Sequence, residues 1–466
     1  MEKIELVPIK IAVIAPTGAG KTALISTVCD YIKSNSNMAD GYSLEIENRA
    51  AKELNQFKQH LLNQLAGRDL EFNLQMIEPT DQCTDYEFSM KFEDKQVGLT
   101  IKQPFVIKDI PGAFVNNRFM YENDTEYEEF INHLDSSRIL WIPIDTPVMM
   151  ECKNPKECSM SDAARCTANL EDFAREWAQY AAKNGRLDFC NFVLVKCETY
   201  FSQDTDNEYN GCKGRFDEAY GNVIDAIKNN NNEDTVSCVA VETIGPVRIN
   251  QQVCKWNENG NFEAKYIVTG TKRQVKGVDC LLRDVFLIAK ENVEYEVDIQ
   301  KASKNEDKRE KTLLMDRLIE QQKQNLADLD KRESDLKNET EELKNLEKEL
   351  DSIGWGKSLL VKVKSTLAIV LSALGRETIA KRLEELKIKD KAQLQEAIRN
   401  KQAHRNSLKN EIESQKYKLR DLETIKSSVT NDIKMIEDTL TSLNKVKIWF
   451  SKLSGGSADS KYYRSL

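Results

Sequence analysis

Residues Ala15-Pro16-Thr17-Gly18-Ala19-Gly20-Lys21-Thr22 have the types and spacing of a phosphate-binding loop. They match G-x-x-x-x-G-K-[ST], with Ala15 standing where the first glycine is usual. Gly18 and Gly20 let the backbone curl so that successive N–H groups converge on phosphate oxygens, aided by the helix N-terminus that follows. The Lys21 ammonium would neutralise the terminal phosphates, and the Thr22 hydroxyl would ligate Mg²⁺. The cradle runs from Ala15 to Ala23.

A second chemical element, Asp109-Ile110-Pro111-Gly112, follows some ninety residues later at the end of an apolar run. Asp109 can hold Mg²⁺ through a water, and the Gly112 N–H can bond a γ-phosphate. A segment bound only while that phosphate exists reorganises when it leaves. A third element is a threonine before the next strand that closes over the metal and the γ-phosphate: Thr84, or Thr80 in Glu78-Pro79-Thr80-Asp81. Its distance from the strand favours Thr84.

These groups need a rigid support, and the first three hundred residues supply alternating strand and helix patterns. Such alternation predicts an α/β fold, a mostly parallel sheet flanked by helices. Ile11 to Ile14 reads as a buried strand, Thr22 to Val28 as the helix after the loop, and Leu44 to Leu65 as a polar helix. Tyr86 to Phe92 and Val97 to Ile101 read as an antiparallel hairpin on the sheet edge, and Phe105 to Lys108 as a further strand leading into Asp109. Ile139 to Ile144 is a central strand in which Pro143 is awkward. Helices are expected at Asp162–Ala182, Phe216–Lys228 and Val278–Ala289. Strands are expected at Phe192–Val195 and Val236–Val241, with an inserted hairpin at Val253–Val268 around Asn257-Glu258-Asn259-Gly260.

The order of loop, threonine, hairpin and Asp109–Gly112 resembles the TRAFAC class of P-loop GTPases. It looks most like bacterial double-GTPase and distant dynamin-like domains that carry a D-x-P-G segment. The resemblance covers roughly residues 8–295. It implies GTP with Mg²⁺ as ligand, with Lys21, Thr84, Asp109 and Gly112 acting on the phosphates and Thr22, Thr84 and Asp109 around the metal. That family's guanine-reading [NT]-K-x-D would fall at Val195-Lys196-Cys197-Glu198, where Lys196 packs along the base and Glu198 accepts from guanine N1 and N2. Val195 and the longer carboxylate depart from the pattern, so ATP stays open as the less favoured ligand. The last base-contacting loop would be Val241-Glu242-Thr243-Ile244-Gly245. Ala113-Phe114 after the D-x-x-G cannot orient a water, and Arg118 is a candidate cation in cis. Slow hydrolysis, stimulated by self-association or a partner, is expected.

Composition divides the chain near the same boundary. All eleven cysteines lie between Cys29 and Cys280, without a CxxC pair, and read as buried thiols of a reducing compartment. Cys152, Cys158 and Cys166 are close together, but their spacing fits no familiar zinc site. Residues 301–466 hold 35 Lys and Arg against 28 Asp and Glu, a balance of +7. Of the chain's 67 basic and 76 acidic residues, that leaves 32 against 48 in the first 300, or −16. An acidic front half argues against sequence-specific nucleic-acid binding. No apolar stretch reaches the ~20 residues of a spanning helix. A cytoplasmic protein is expected, with peripheral membrane contact left open.

The domains expected are residues 1–300, a coiled-coil stalk at 301–453, and a disordered tail at 454–466. Leu329, Leu336, Leu343 and Leu350 recur every seven residues. Leu408, Ile412, Leu419, Leu422, Val429, Ile433, Ile436, Leu440 and Leu443 follow three-four spacing, broken only by Gln415 and Lys426. Either an antiparallel hairpin about 50 to 60 Å long or helices pairing with another protomer satisfies this pattern. The stretch at about 353–405 breaks it. Ile353-Gly354-Trp355-Gly356 ends the first arm, and an apolar helix follows at Leu359–Leu374. Ser352 to Arg405 holds twelve basic and five acidic residues. That tip either touches an anionic membrane surface or buries its own apolar face against Ile379, Leu383 and Leu386. Trp449 and Phe450 should pack back on the first domain.

Three functions fit these features. One is a switch or mechanochemical GTPase whose arm transmits nucleotide state to a partner, another copy or a membrane. Another is a bacterial signalling or defence module that binds a protein partner through the stalk. The last is an ATPase with a coiled-coil arm, which lacks the expected apolar run ending in Asp-Glu.

Overall fold

The structure is a computed structural model. It describes residues 6–34, 42–46, 71–73, 83–94, 99–116, 120–121, 125–151, 162–184, 188–201, 206–230, 236–250, 254–256, 262–270, 275–354, 391–453 and 463–465, with scattered positions between 52 and 63. Thr80, Arg118, the 257–260 turn, Cys152 and Cys158 lie outside them, as does the tip up to residue 390.

In chain order the elements are β1 (Ile9–Val13), α1 (Lys21–Ser34), β2 (Tyr42–Ile46), β3 (Glu71–Asn73), β4 (Thr84–Asp94), β5 (Leu99–Asp109), α2 (Gly112–Asn116) and α3 (Thr125–Ser136). Then come β6 (Ile139–Asp145), α4 (Thr146–Glu151), α5 (Asp162–Asn184), β7 (Phe189–Val195), α6 (Asp206–Lys228), β8 (Val236–Ala240), β9 (Val247–Ile249), β10 (Lys255–Trp256), β11 (Phe262–Glu263) and β12 (Lys265–Val268). Two long helices, α7 (Val278–Gly354) and α8 (Lys391–Lys452), precede β13 (Tyr463–Ser465).

The chain divides into two compact units, 1–299 with 445–466, and 300–444. The main sheet of the first unit has the order β13-β8-β7-β6-β1-β5-β4-β2. Its five central strands are parallel, and β4, β2 and β13 add antiparallel. Every residue of β7 is buried, as are six of the seven in β6. Continuous apolar runs are what a parallel strand covered on both faces requires. Pro143 is tolerated in β6 because it shares parity with Trp141, whose carbonyl faces β1 and accepts the Ile14 N–H at 3.0 Å. The Pro143 nitrogen thus faces the side where the β1 ladder has already ended.

Four expectations need correction. Leu44 to Ile46 belongs to β2, paired with Met90, Ser89 and Phe88; among the described residues, the helical positions of that stretch lie between 52 and 63. The β4–β5 hairpin is therefore covered by β2 and is not the sheet edge. β5 is one eleven-residue strand, where two shorter runs were expected. Residues 463–465, expected to be disordered, pair with Val239, Cys238 and Ser237 because β8 would otherwise present an open row of backbone groups. The inserted hairpin exists as β10–β11, beside a small sheet of order β3-β12-β9.

α7 closes the first unit and continues without a break to Gly354. Its root carries Asp284, 1% exposed, whose Oδ2 accepts from Asn191 Nδ2 at 2.8 Å. Asn191 Oδ1 in turn accepts from the Ser237 hydroxyl. Asp284 Oδ1 is buried with no partner among the described residues. Burial pushes this carboxyl up to about 7. A raised folded-state value means that stability is greatest at low pH and is lost as pH rises from about 4 through about 7. The loss is about 4 kcal/mol for a shift of this size. Asp284→Asn keeps the acceptor for Asn191 and removes the charge. It is expected to raise the melting temperature at pH 8 and to change it little at pH 4; an equal effect at both would contradict this account.

Both stalk roots end on the same aromatic group. Phe450 of α8 is fully buried with its ring 4.8 Å from Phe92 of β4, and Phe286 of α7 lies 5.9 Å from Phe92. Trp449 packs edge-on to Phe450 at 5.0 Å. In the second unit α7 and α8 run antiparallel. Lys308 pairs with Glu437, Lys311 with Asp432, Arg332 with Glu411, and Lys401 with Glu339. Gln402 Nε2 donates to Glu347 at 3.3 Å, so contacts from Lys308 to Glu347 cover about 60 Å of helix. Leu329, Ile412 and Leu419 bury against one another with Leu336. Lys426, which interrupts the apolar seam, donates to Gln322 across it at 3.3 Å. Among the described residues, no helix is long and apolar enough to cross a membrane.

Candidate functional site

The loop lies between the end of β1 and the start of α1, with Gly18 at φ 82° and Gly20 at φ 106°. Both values belong to glycine. Gly20 is also packed closely, since a Cβ there would meet Val195 Cγ2 at 3.2 Å. Lys21 is 6% exposed and donates to the carbonyls of Ala15 at 2.9 Å and Pro16 at 3.3 Å, so its ammonium lies inside the loop. The Thr22 hydroxyl donates to Asp109 Oδ2 at 2.8 Å, across 87 residues of sequence. Parallel pairing places Asp109 beside Val13, and antiparallel pairing places Thr84 directly opposite Asp109. Thr84 is the first residue of β4 and does not precede it. Facing residues of an antiparallel pair share a sheet face, so Thr84, Asp109 and Thr22 converge on one end of the sheet. A hydroxyl and a carboxylate joined at a phosphate loop form a hard oxygen donor set suited to Mg²⁺.

Gly112 rests on the loop itself. A Cβ at this position would stand 2.3 Å from the Thr17 nitrogen, 2.5 Å from its Cα and 2.7 Å from its Oγ1. The Thr17 N–H donates to Asn116 Oδ1 at 3.3 Å. Asn169 on α5 secures the same short helix by donating to the Val115 carbonyl at 2.6 Å. Phe114 is buried among Tyr121, Tyr127 and Phe130, with ring centroids at 5.0, 5.6 and 6.2 Å.

The expected base-reading residues stand at the end of β7. Lys196 has φ 56°, uncommon for a side-chain-bearing residue. Its N–H donates to Thr243 Oγ1 at 3.0 Å, which helps hold the turn. The Lys196 ammonium reaches the Gly18 carbonyl at 2.8 Å and Asp145 Oδ2 at 2.6 Å. Glu198 Oε1 accepts the N–H groups of Ile244 and of Gly245, the latter at 3.1 Å. Glu198 Oε2 is buried with no hydrogen-bond partner among the described residues. Burial pushes the carboxyl up to about 7. The 241–245 loop therefore braces Glu198 with its backbone.

Asp145 and Asn116 are absent from the sequence-derived set, and Thr243 enters it only as part of the 241–245 loop, with no link to Lys196. Asp145 had a usable signal, an acid at the carboxyl end of a central parallel strand, where α/β sheets bind ligands. Asn116 had none, because only packing brings it to Thr17, and only pairing of β7 with β8 brings Thr243 to Lys196. Among the described residues, no group of His, Cys, Asp and Glu suits a metal by itself.

No family model matches the chain, and no curated protein matches it. Among solved structures, the chain is similar to one titled "Signal recognition particle receptor SRb-GTP/SRX complex from Chaetomium thermophilum". The match has 14% identity and a TM-score of 0.25, over 52% of this chain and 93% of that one. A likeness at that score carries no argument about ligand or mechanism.

Proposed function

We propose that the first unit binds a purine nucleoside triphosphate with Mg²⁺, guanine in preference to adenine, and hydrolyses it slowly as a switch. The hydrogen bond that joins Thr22 to Asp109 at the loop containing Lys21 carries this reading. It unites the two sequence elements that phosphate and metal binding need. Bound Mg²⁺ would neutralise charge on the terminal phosphates. Thr84, opposite Asp109, would close over them, and Gly112 would sense the γ-phosphate from its seat on Thr17. Lys196, whose ammonium bonds the Gly18 carbonyl at 2.8 Å, would lie between the loop and the base. An ionised Glu198 Oε2 would accept from the guanine N1–H and amino group, whereas adenine presents an acceptor at N1.

The arm is the proposed output. Its two roots meet on Phe92 of β4, and the other end of β4 begins at Thr84. A change around Thr84 thus has a continuous strand along which to reach both helices. The receiver would be another copy or a protein partner bound by the stalk.

Titration with fluorescent guanine and adenine triphosphates, with Mg²⁺ and across pH, tests the ligand. Guanine should bind more tightly at pH 8. Its affinity should decline below about pH 7 by up to tenfold per unit, because protonation turns the Glu198 acceptor into a donor. Adenine affinity should not share that decline. Tighter adenine binding at pH 8 would overturn the base assignment.

A further inference from the structure

Hydrolysis needs a water aimed at the γ-phosphorus, and the residues after the D-x-x-G do not provide its support. Ala113 has only a methyl group. Phe114 is 4% exposed and wedged among three aromatic rings, so it cannot turn toward the phosphates. The three heavy atoms nearest the position of a Gly112 side chain all belong to Thr17, and one of them is its hydroxyl oxygen at 2.7 Å. The loop thus places a hydroxyl where residue 112 has no side chain of its own.

We infer that the Thr17 hydroxyl orients the attacking water and that Asn116 is the positioning residue that holds Thr17 in place. The inference rests on the triphosphate reading above. Asn116 Oδ1 accepts the Thr17 N–H at 3.3 Å. Asn116 is itself restrained, since Asn169 Nδ2 donates to the Val115 carbonyl at 2.6 Å and the Asn116 carbonyl at 3.5 Å. Thr17 itself is an exposed residue.

The step balances without a further reactant. Thr17 Oγ1 accepts a hydrogen bond from one water proton, which aims a water lone pair at phosphorus. The water oxygen–phosphorus bond forms, the bond from the γ-phosphorus to the bridging oxygen breaks, and its electron pair leaves with the nucleoside diphosphate. The water proton passes to a γ-phosphate oxygen, giving inorganic phosphate. Thr17 supplies orientation and does not act as a base.

Single-turnover phosphate release with full-length protein in excess over Mg²⁺-GTP, at one fixed protein concentration, tests the assignment alongside nucleotide affinity. Thr17→Ala should lower the rate about 10- to 100-fold with affinity within about threefold, and Thr17→Ser should restore most of the rate. Asn116→Ala should lower the rate by a smaller factor, again with affinity retained. Wild-type rates in Thr17→Ala would overturn the inference, as would rate and affinity falling together, or wild type binding GTP without releasing phosphate. Failure of wild type to bind any purine triphosphate would overturn the parent reading first.

Discussion

Lys21→Ala is expected to reduce purine triphosphate affinity at least about 100-fold, or about 2.7 kcal/mol. The Lys21 ammonium is enclosed by the loop, and the carbonyls of Ala15 and Pro16 hold it at 2.9 and 3.3 Å. Carbonyl dipoles are weak partners for a buried cation compared with a doubly charged terminal phosphate. Triphosphate binding therefore exchanges poor partners for good ones, and alanine forfeits that gain. A fold kept intact with ligand binding lost is the signature to seek. At a triphosphate concentration 100 times its dissociation constant, the wild-type protein gains about 2.7 kcal/mol of stability. Its melting temperature should rise accordingly, whereas the variant's should stay near its nucleotide-free value. An equal rise in both proteins would remove Lys21 from the phosphate site.

Gly277→Ala is expected to destabilise the first unit by more than about 3 kcal/mol. Gly277 immediately precedes α7 and has φ 81°, where a side chain is strained by about 1 kcal/mol or more. Space adds the larger share. A Cβ there would stand 1.9 Å from the Ala240 carbonyl oxygen and 3.0 Å from its carbon. Both atoms are main chain at the end of β8, so no rotamer change relieves the overlap. The same contact line supports the base loop, since Glu242 N–H donates to the Lys276 carbonyl at 3.4 Å and the two side chains pair at 3.1 Å. A displaced α7 start should therefore loosen the 241–245 loop and Glu198 with it. Thermal unfolding should begin many degrees earlier, at about 2–4 °C per kcal/mol for a unit of this size or somewhat less. A melting temperature within 2 °C of wild type would refute the packing account.

Local motifs were legible along the chain because each is encoded within a few residues. The eight residues of the loop, the Asp109–Gly112 segment and the heptads of α7 and α8 depend on glycine dihedrals, a strand end and apolar periodicity. Leu44 to Ile46 misled because Leu-Glu-Ile is too short to separate a helical period from a strand's alternation. The β4 ladder decided for strand through the pairing of Tyr42 with Phe92. Residues 463–465 carry no strong strand pattern, and an open β8 edge recruits them.

By itself the sequence determined the identities of the loop, of Asp109 and of Gly112, the α/β class, and the presence of two long amphipathic helices. Tertiary structure alone decided that Thr22 meets Asp109, that Thr84 faces it, and that Asp145 and Thr243 hold Lys196. It also decided that α7 and α8 pair within one chain. The physical reason is separation. Glycine dihedrals and apolar spacing act over one or two turns of chain, whereas parallel pairing and core packing unite residues 50 to 180 positions apart that share no local pattern.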